Sequence, residues 1–187
     1  MRAADAELVA RCRHGDLGAF EELYRQHAPR LYSLANRMAG PSADAEDLLQ
    51  EIFLLAHRKL DTFKGESALA TWLYRLAMNV CLDFVRSRRA RSDRLTDSLD
   101  DDRPGAVATP QTRPANGVAS LDLERAIARL PDGCRAAFLL HDVEGFEHHE
   151  VASILGVSTG TSKSQVHKAR VKIRTYLAGR QTAEAGE

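Results

Sequence analysis

Residues 150–174 read EVASILGVSTGTSKSQVHKARVKIR, and this stretch decides the fold. Apolar side chains at helical spacing predict a short helix over residues 147–155 and a longer helix after it. Between them, Gly156 tolerates the positive φ that a tight turn between helices requires. The sequence therefore predicts a helix-turn-helix.

The second of these helices has a basic polar face. Residues 158–182 contain no Asp or Glu, whereas the whole chain balances 26 Lys and Arg against 26 Asp and Glu. Cationic and amide side chains on the outer side of a helix that fits a major groove make a DNA-reading surface. A solvated basic helix is the alternative, but the turn and the one-sided charge together favour nucleic acid. The candidate contacts are Ser158, Thr161, Lys163, Ser164, Gln165, His167, Lys168, Arg170 and Arg174.

The composition restricts the class of protein. At 187 residues, with 44% hydrophobic and 28% charged residues, the chain suits one domain or two small ones, and its few aromatics favour helices. No apolar run approaches the length of a membrane span, and residues 1–16 lack the apolar core of a signal peptide, so we expect a cytoplasmic protein.

Cys12, Cys81 and Cys134 are widely spaced, which predicts reduced, buried thiols.

The first half of the chain shows helical periodicity over residues 6–14, over residues 17–38 and from Ser42 onwards. The third of these helices carries Asp47, Gln50 and Glu51 on its polar side, with Phe53 as an exposed-looking aromatic beside them. Such a face is either an ordinary solvated surface or a docking surface for a basic partner. The residues alone leave both readings open.

A fourth helix is predicted over residues 68–88. Its polar side carries Arg75, Asn79, Asp83 and Arg86, three or four residues apart and so stacked along one face. Its end is rich in arginine, including Arg88 and Arg89, and arginine binds phosphates through paired hydrogen bonds. The arginines and Asn79 are candidate nucleic-acid contacts, with a solvated helix end as the alternative.

Residues 90–120 have the composition of a linker, with three prolines, two glycines, an acidic run at residues 100–102 and almost no periodic apolar positions. We therefore predict an all-α protein of two small helical bundles joined by a flexible linker. The predicted bounds are residues 1–92 for the first bundle, 93–119 for the linker, 120–180 for the second bundle and 181–187 for a tail. Such a linker lets the bundles contact DNA sites more than one turn apart.

The second bundle is completed by amphipathic helices predicted over residues 121–130 and 135–142. Acidic side chains are expected to form a side of this bundle opposite the basic helix, which suggests one face toward DNA and another toward a protein. These acidic residues are Asp132, Asp142, Glu144, Glu147 and Glu150.

Residues 130–177 resemble the C-terminal promoter-binding domain of the extracytoplasmic-function (ECF) sigma factors of bacterial RNA polymerase. The matching features are Leu130-Pro131, Glu144-Gly145, LGVS at residues 155–158, Gly160-Thr161, Lys163-Ser164 and Ala169-Arg170. Ser162 and Gln165 depart from the apolar residue and the Arg that are usual in the family. The resemblance implies a winged-helix-like region 4 domain that recognises a minus-35 element through the nine candidate contacts given above.

The first bundle is similar to region 2 of the same family. DLLQE at residues 47–51, followed by Phe53, resembles the patch that grips the clamp coiled coil of the largest polymerase subunit, which implies that Asp47, Gln50, Glu51 and Phe53 bind polymerase. Residues 63–89 resemble the minus-10 reader, whose loop captures a base flipped from the melted strand. The implied minus-10 contacts are Lys64, Trp72, Arg75, Asn79, Arg86, Arg88 and Arg89, although Trp72 fits a core position equally well.

The resemblance also implies the partners. They are core RNA polymerase, through the clamp coiled coil and the flap of the second-largest subunit, promoter DNA, and an anti-sigma factor that holds the protein inactive. A two-domain helix-turn-helix regulator that works without polymerase is the alternative function, and the face over residues 47–53 discriminates between the two. No cofactor is expected.

A metal hydrolase is a weaker alternative, suggested by His141, His148 and His149. Adjacent residues on a helix point about 100° apart, so His148 and His149 do not match the H-E-x-x-H spacing of a zinc site. No glycine-rich phosphate loop, nucleophile elbow or pair of catalytic carboxylates is found either. We therefore expect neither a metal site nor enzyme activity.

Overall fold

The computed structural model describes residues 3–40, 42–96 and 117–184, with side chains described for residues 4–40, 44–92 and 121–180. Within these ranges the protein is helical and contains no strand, so the predicted all-α class is confirmed. A 3-10 turn, Leu60–Thr62, and a π-helical segment, Leu139–Val143, interrupt the α-helices. The α-helices are α1 (Ala3–Arg13), α2 (Leu17–Ala39), α3 (Ser42–Lys59), α4 (Leu69–Thr96), α5 (Gly117–Ala128), α6 (Asp132–Phe138), α7 (His148–Leu155) and α8 (Thr159–Glu184).

Helices α1 to α4 form the first bundle. Its core contains Leu31, Leu34, Ile52 and Met78, each at most 1% exposed, at the junction of α2, α3 and α4. Cys81 is also buried there, and loss of solvation raises the pKa of its thiol to about 12. None of the described cysteines is in a disulfide; Cys81 and Cys134 are buried as predicted, whereas Cys12 is only half-buried.

Helices α5 to α8 form the second bundle, and α7 and α8 make the predicted helix-turn-helix. The turn is confirmed at Gly156, which adopts the left-handed conformation with φ 66° while its backbone N–H bonds to the Ala152 carbonyl. At the other end of α7, Glu147 and Glu150 form a capping box. The left-handed turn at Gly156 and the capping box of α7 thus set the angle between α7 and α8.

The two bundles pack directly against each other. Buried residues of α2 and α4, such as Met38 and Tyr74, belong to the same continuous apolar cluster as Leu140 and Val151 of the second bundle. The sequence predicted two bundles connected by a flexible tether, and this direct packing is a feature that it did not predict. The composition of the linker indicates only that the connecting segment is flexible. It does not indicate whether the surfaces of the two bundles are complementary.

The helices beside the linker are longer than predicted. Helix α4 continues to Thr96 and α5 begins at Gly117, whereas the predicted linker covered residues 93–119. Arginine and leucine at residues 94 and 95 are good helix formers, which explains the extension of α4. The acidic run at residues 100–102 and the tail beyond residue 184 lie outside the described residues. None of the helices in the described part of the chain is both long and apolar enough to cross a membrane.

Candidate DNA and polymerase interfaces

The outer face of α8 is a row of exposed cationic and polar side chains. Val166, Ala169 and Ile173 are buried on the inner side, at most 7% exposed, which fixes the rotation of the helix. The opposite side is therefore presented to solvent as a basic surface, as the sequence predicted. Of the nine candidate minus-35 contacts, the exposed ones along this helix are Lys163, Ser164, His167, Lys168, Arg170 and Arg174.

Two further candidates, Ser158 and Thr161, lie at the start of α8. The Ser158 hydroxyl accepts a hydrogen bond from the Thr161 N–H at 3.0 Å and lies 2.9 Å from the Thr161 hydroxyl. Both side chains are exposed. They stabilise the N-terminus of the helix and leave its first turn open to solvent, where a phosphate can accept hydrogen bonds.

Arg170 and Gln165 are engaged within the protein. Arg170 forms a paired contact with the carboxylate of Asp142, its Nε lying 3.0 Å from Oδ2. The Gln165 side chain packs against Gly133 of α6, so closely that a Cβ on Gly133 would lie 2.9 Å from Nε2. Its Oε1 is buried without a donor among the described residues. Gln165 is therefore held against α6, whereas Arg170 is paired but keeps about half of its side chain exposed.

Ser162 departs from the apolar residue usual at this position, and the structure shows how it is accommodated. Its side chain is fully buried, and its hydroxyl lies 3.1 Å from Nδ1 of His148 on α7. The His148 ring stacks on His141, with centroids 4.0 Å apart. A buried hydrogen bond thus joins the two helices of the motif where other members of the family are expected to use apolar packing.

Among the described residues, no three His, Cys, Asp or Glu side chains are grouped to hold a metal ion.

The predicted polymerase-binding face lies on α3. Asp47, Gln50 and Glu51 are exposed on one side of this helix. Phe53 is not exposed: it is 5% accessible and packs on Tyr24, with ring centroids 4.6 Å apart. The expectation of an exposed aromatic here was wrong, because the Phe53 ring packs on the α2 aromatics Phe20 and Tyr24 and faces the core, as its neighbour Ile52 does.

The apolar residue on this face is Leu54, which is 63% exposed. Its position, three and four residues after Glu51 and Gln50, places it on the same side of α3. The same helical spacing, applied to residues 47, 50, 51 and 54, could have found it in the sequence. We call the surface of Asp47, Gln50, Glu51 and Leu54 the α3 face.

The candidate minus-10 contacts lie on α4 and, in the case of Lys64, in the loop before it. Lys64, Asn79 and Arg86 are exposed, and Asn79 borders a groove of about 520 Å³ between α3 and α4. Trp72 is half-buried and packs against Phe63, with centroids 5.2 Å apart. The Trp72 indole therefore packs against the loop before α4. The alternative interpretation of Trp72, as a core residue, agrees with the structure.

The arginines of the minus-10 set are all paired, Arg86 with Asp83 of its own helix at 3.5 Å. Arg75 donates a hydrogen bond of 2.6 Å to the Ser153 hydroxyl on α7, and Arg89 lies 2.8 Å from the Asp132 carboxylate on α6. Arg88 instead contacts its own bundle, bonding to Asp44 at 3.2 Å. Arg75 and Arg89 thus contact the bundle that carries the minus-35 candidates; Arg75 is half-buried, whereas the Arg89 side chain stays 60% exposed.

The expected acidic side of the second bundle was wrong in its placement. Asp132 faces Arg89, Asp142 faces Arg170 of the basic helix itself, and Glu144 accepts a hydrogen bond from the Tyr74 hydroxyl. These carboxylates are used in contacts within the protein. The sequence showed their number but could not show which cations lay opposite them.

Two family profiles match the chain. The family described as Sigma-70 region 2 matches residues 23–91, and the family described as Sigma-70, region 4 matches residues 120–173. The first profile covers α2 to α4, and the second covers most of α5 to α8.

Curated relatives match most of the chain. The ECF RNA polymerase sigma factor SigM of Mycobacterium tuberculosis is 39% identical over 174 residues, covering 93% of this chain and 85% of the relative. The ECF RNA polymerase sigma-E factor of Escherichia coli is 34% identical over 176 residues, covering 90% of this chain and 92% of the relative.

Solved structures are similar over both bundles. CnrH in complex with the cytosolic domain of CnrY has a TM-score of 0.70 and 26% identity, covering 94% of this chain and 98% of the other. The sigma factor RpoE in complex with the anti-sigma factor NepR from Bartonella quintana has the same TM-score and identity over 85% of this chain and 96% of the other.

Proposed function

The chain belongs to the ECF sigma factors of bacterial RNA polymerase, and we propose that it binds core polymerase through the α3 face and directs initiation from promoters with specific minus-10 and minus-35 elements. The observation that carries the proposal is the separation of two exposed surfaces. The acidic and apolar α3 face suits a basic partner, and the basic row on α8 suits DNA. A plain DNA-binding regulator has no use for the first of these surfaces.

The division of work follows from the chemistry of each surface. Exposed lysines of α8 supply sequence-independent attraction to phosphates, and the Ser164 hydroxyl and the imidazole of His167 supply hydrogen bonds to base edges. On α4, the exposed Asn79 beside an open groove offers an amide to an unstacked base. We further propose that the clamp coiled coil of the largest polymerase subunit occupies the α3 face and that the flap of the second-largest subunit contacts the second bundle.

An anti-sigma factor is proposed as the inhibitor. RpoE, which is similar over both bundles, was solved in complex with the anti-sigma factor NepR. The functional test is transcription in vitro with core polymerase on a library of random promoters. Enrichment of one promoter class with paired upstream and downstream motifs is expected, and a library transcribed no better than by core polymerase alone would contradict the proposed function.

Replacing Lys168 with Ala is expected to weaken promoter binding about equally at all promoters. Lys168 is exposed on α8, and a lysine that contacts only phosphate contributes about one released counterion, so the slope of log K against log salt should fall by about one unit. The measurement is a titration of labelled promoter DNA at several salt concentrations. Arg25→Ala, which removes an exposed cation on α2, is the control and should leave the slope unchanged; a promoter-dependent loss at Lys168 would instead assign it to base readout.

Replacing Gln165 with Ala is expected to change the preferred upstream sequence if the side chain leaves Gly133 when DNA binds. A glutamine amide can pair through two hydrogen bonds with adenine, and each such pair discriminates by about 1–3 kcal/mol. Selection of minus-35 sequences by the variant and the wild-type holoenzyme, compared side by side, measures the effect. If the variant selects the same sequences, Gln165 has only the packing role against Gly133 that the structure shows.

A further inference from the structure

Arg13, the last residue of α1, holds the turn that leads into the loop before α4. Its Nε and Nη2 lie 3.3 Å and 3.2 Å from the Leu60 carbonyl oxygen, and Nη2 also donates to the Phe63 carbonyl. One guanidinium thus joins α1 to the 3-10 turn Leu60–Thr62 and to the first residue after it. Arg13 lies outside the Sigma-70 region 2 match, which begins at residue 23.

The loop that follows is anchored at both ends and open in the middle. Phe63 and Leu69, at most 4% exposed, lie in one apolar cluster with buried side chains of α1. We call residues 64–68, between these two anchors, the minus-10 loop. Three of its five residues are exposed, among them the minus-10 candidate Lys64. A ligand can therefore reach the loop, whose ends are fixed by contacts with α1.

The end of α1 is itself fixed on α2. The Arg11 guanidinium lies 2.9 Å from the Asp16 carboxylate and 3.3 Å from that of Glu22. Asp16 is also the N-cap of α2, because its Oδ1 accepts a hydrogen bond of 3.1 Å from the Ala19 N–H. Arg13 therefore holds the loop from a support whose position α2 determines.

We infer that Arg13 is a positioning residue for the minus-10 loop, which it holds in the conformation that receives an unstacked base, without contacting DNA itself. The inference rests on the proposed function for what the loop binds. A loop that is already held in its bound conformation avoids most of the entropy cost of ordering when the ligand arrives. The guanidinium suits this task because its fixed fork of donors reaches two carbonyl oxygens at once, which the point charge of a lysine cannot reproduce.

Trp72 allows the loop to be monitored without DNA or polymerase. It is the only tryptophan in the chain, and its ring packs on Phe63, whose carbonyl Arg13 holds. In full-length Arg13→Lys and Arg13→Gln, a loosened loop should raise acrylamide quenching of Trp72 by roughly twofold and shift its emission to the red. Arg25→Lys, which changes an arginine paired with Glu21 on the exposed side of α2, is the matched control and should leave both values unchanged. Circular dichroism at the same temperature establishes that every variant is folded.

Selection from a random promoter library by the holoenzyme provides the second measurement. With Arg13→Lys, discrimination between bases at one minus-10 position should fall by roughly five- to tenfold, because a hydrogen bond from a charged donor is worth about a decade in an equilibrium constant. The minus-35 preference, which the second bundle supplies, should stay as in wild type. A smaller folded fraction cannot produce this difference, since it lowers initiation equally at all promoters. A phosphate contact by Arg13 would instead be retained by lysine.

Each of three results would overturn the inference: unchanged Trp72 quenching in both Arg13 variants, an unchanged minus-10 preference in Arg13→Lys, or a loss that is equal at every promoter. A wild type that enriches no promoter would count against the proposed function alone. The Trp72 measurement would then decide whether Arg13 holds the loop.

Discussion

Replacing Gln50 and Glu51 together with alanine is expected to reduce retention of core RNA polymerase by about 100-fold or more. Both side chains are exposed on the α3 face, and residues at the centre of an interface commonly contribute about 2 kcal/mol or more each. Since each 1.4 kcal/mol is about tenfold in affinity, two such losses exceed the stated figure. The loss should appear mostly as faster dissociation, because mutations within one interface act mainly on the off-rate.

The measurement is a pull-down of purified core polymerase, followed by promoter-dependent transcription in vitro. Glu21→Ala/Gln26→Ala is the matched control, since it removes one acid and one amide from the exposed surface of α2. Both double variants should melt at the wild-type temperature, because neither pair is buried. Equal retention by the α3 variant and the control would remove the α3 face from polymerase binding and would favour a regulator that acts without polymerase.

The sequence predicted the parts of this fold that local chemistry determines. Gly156 adopts the left-handed turn, and α8 turns Val166 and Ala169 inward because apolar residues at a period of 3.6 must share one side. The exposed lysines then follow without any tertiary information. Helical spacing is enough here because the face of each helix is set by its own residues.

The sequence did not predict what depends on the pairing of distant residues. Asp132 and Glu144 were counted as a free acidic side, whereas they lie opposite Arg89 and Tyr74, which are more than 40 residues earlier in the chain. Nothing in either segment by itself indicates the other. The direct packing of the two bundles was missed for the same reason, and with it the covering of Arg75.

Phe53 shows a different cause of error, a choice between two adjacent apolar residues. Both Phe53 and Leu54 follow the acidic pair, and a bulky aromatic beside carboxylates looked like a docking residue. The packing of Phe53 on Phe20 and Tyr24 makes it core and leaves Leu54 outside. The α2 aromatics, which the sequence of α3 does not contain, place Phe53 in the core, whereas the spacing of residues 47, 50, 51 and 54 already indicates that Leu54 is exposed.

Replacing Phe53 with Ala is therefore expected to destabilise the protein strongly. The ring is 5% exposed and lies 4.6 Å from the Tyr24 ring centroid, and truncation of a buried Phe to Ala costs about 3–5 kcal/mol. Against a total stability of about 5–15 kcal/mol, this is a large fraction. Urea denaturation followed by circular dichroism measures it, and polymerase binding should fall only as far as the folded fraction falls.

Leu54→Ala is the matched comparison, an apolar truncation one residue away on the exposed side. Its free energy of unfolding should stay within about 0.5 kcal/mol of wild type, as for most surface changes. Its affinity for core polymerase should fall by roughly tenfold, because burying a leucine side chain contributes about 1.5–3 kcal/mol to an interface and alanine retains part of it. If Phe53→Ala instead remained fully stable and lost polymerase while Leu54→Ala kept it, the apolar contact of the α3 face would belong to Phe53, and α3 would have to rotate on the bundle when polymerase binds.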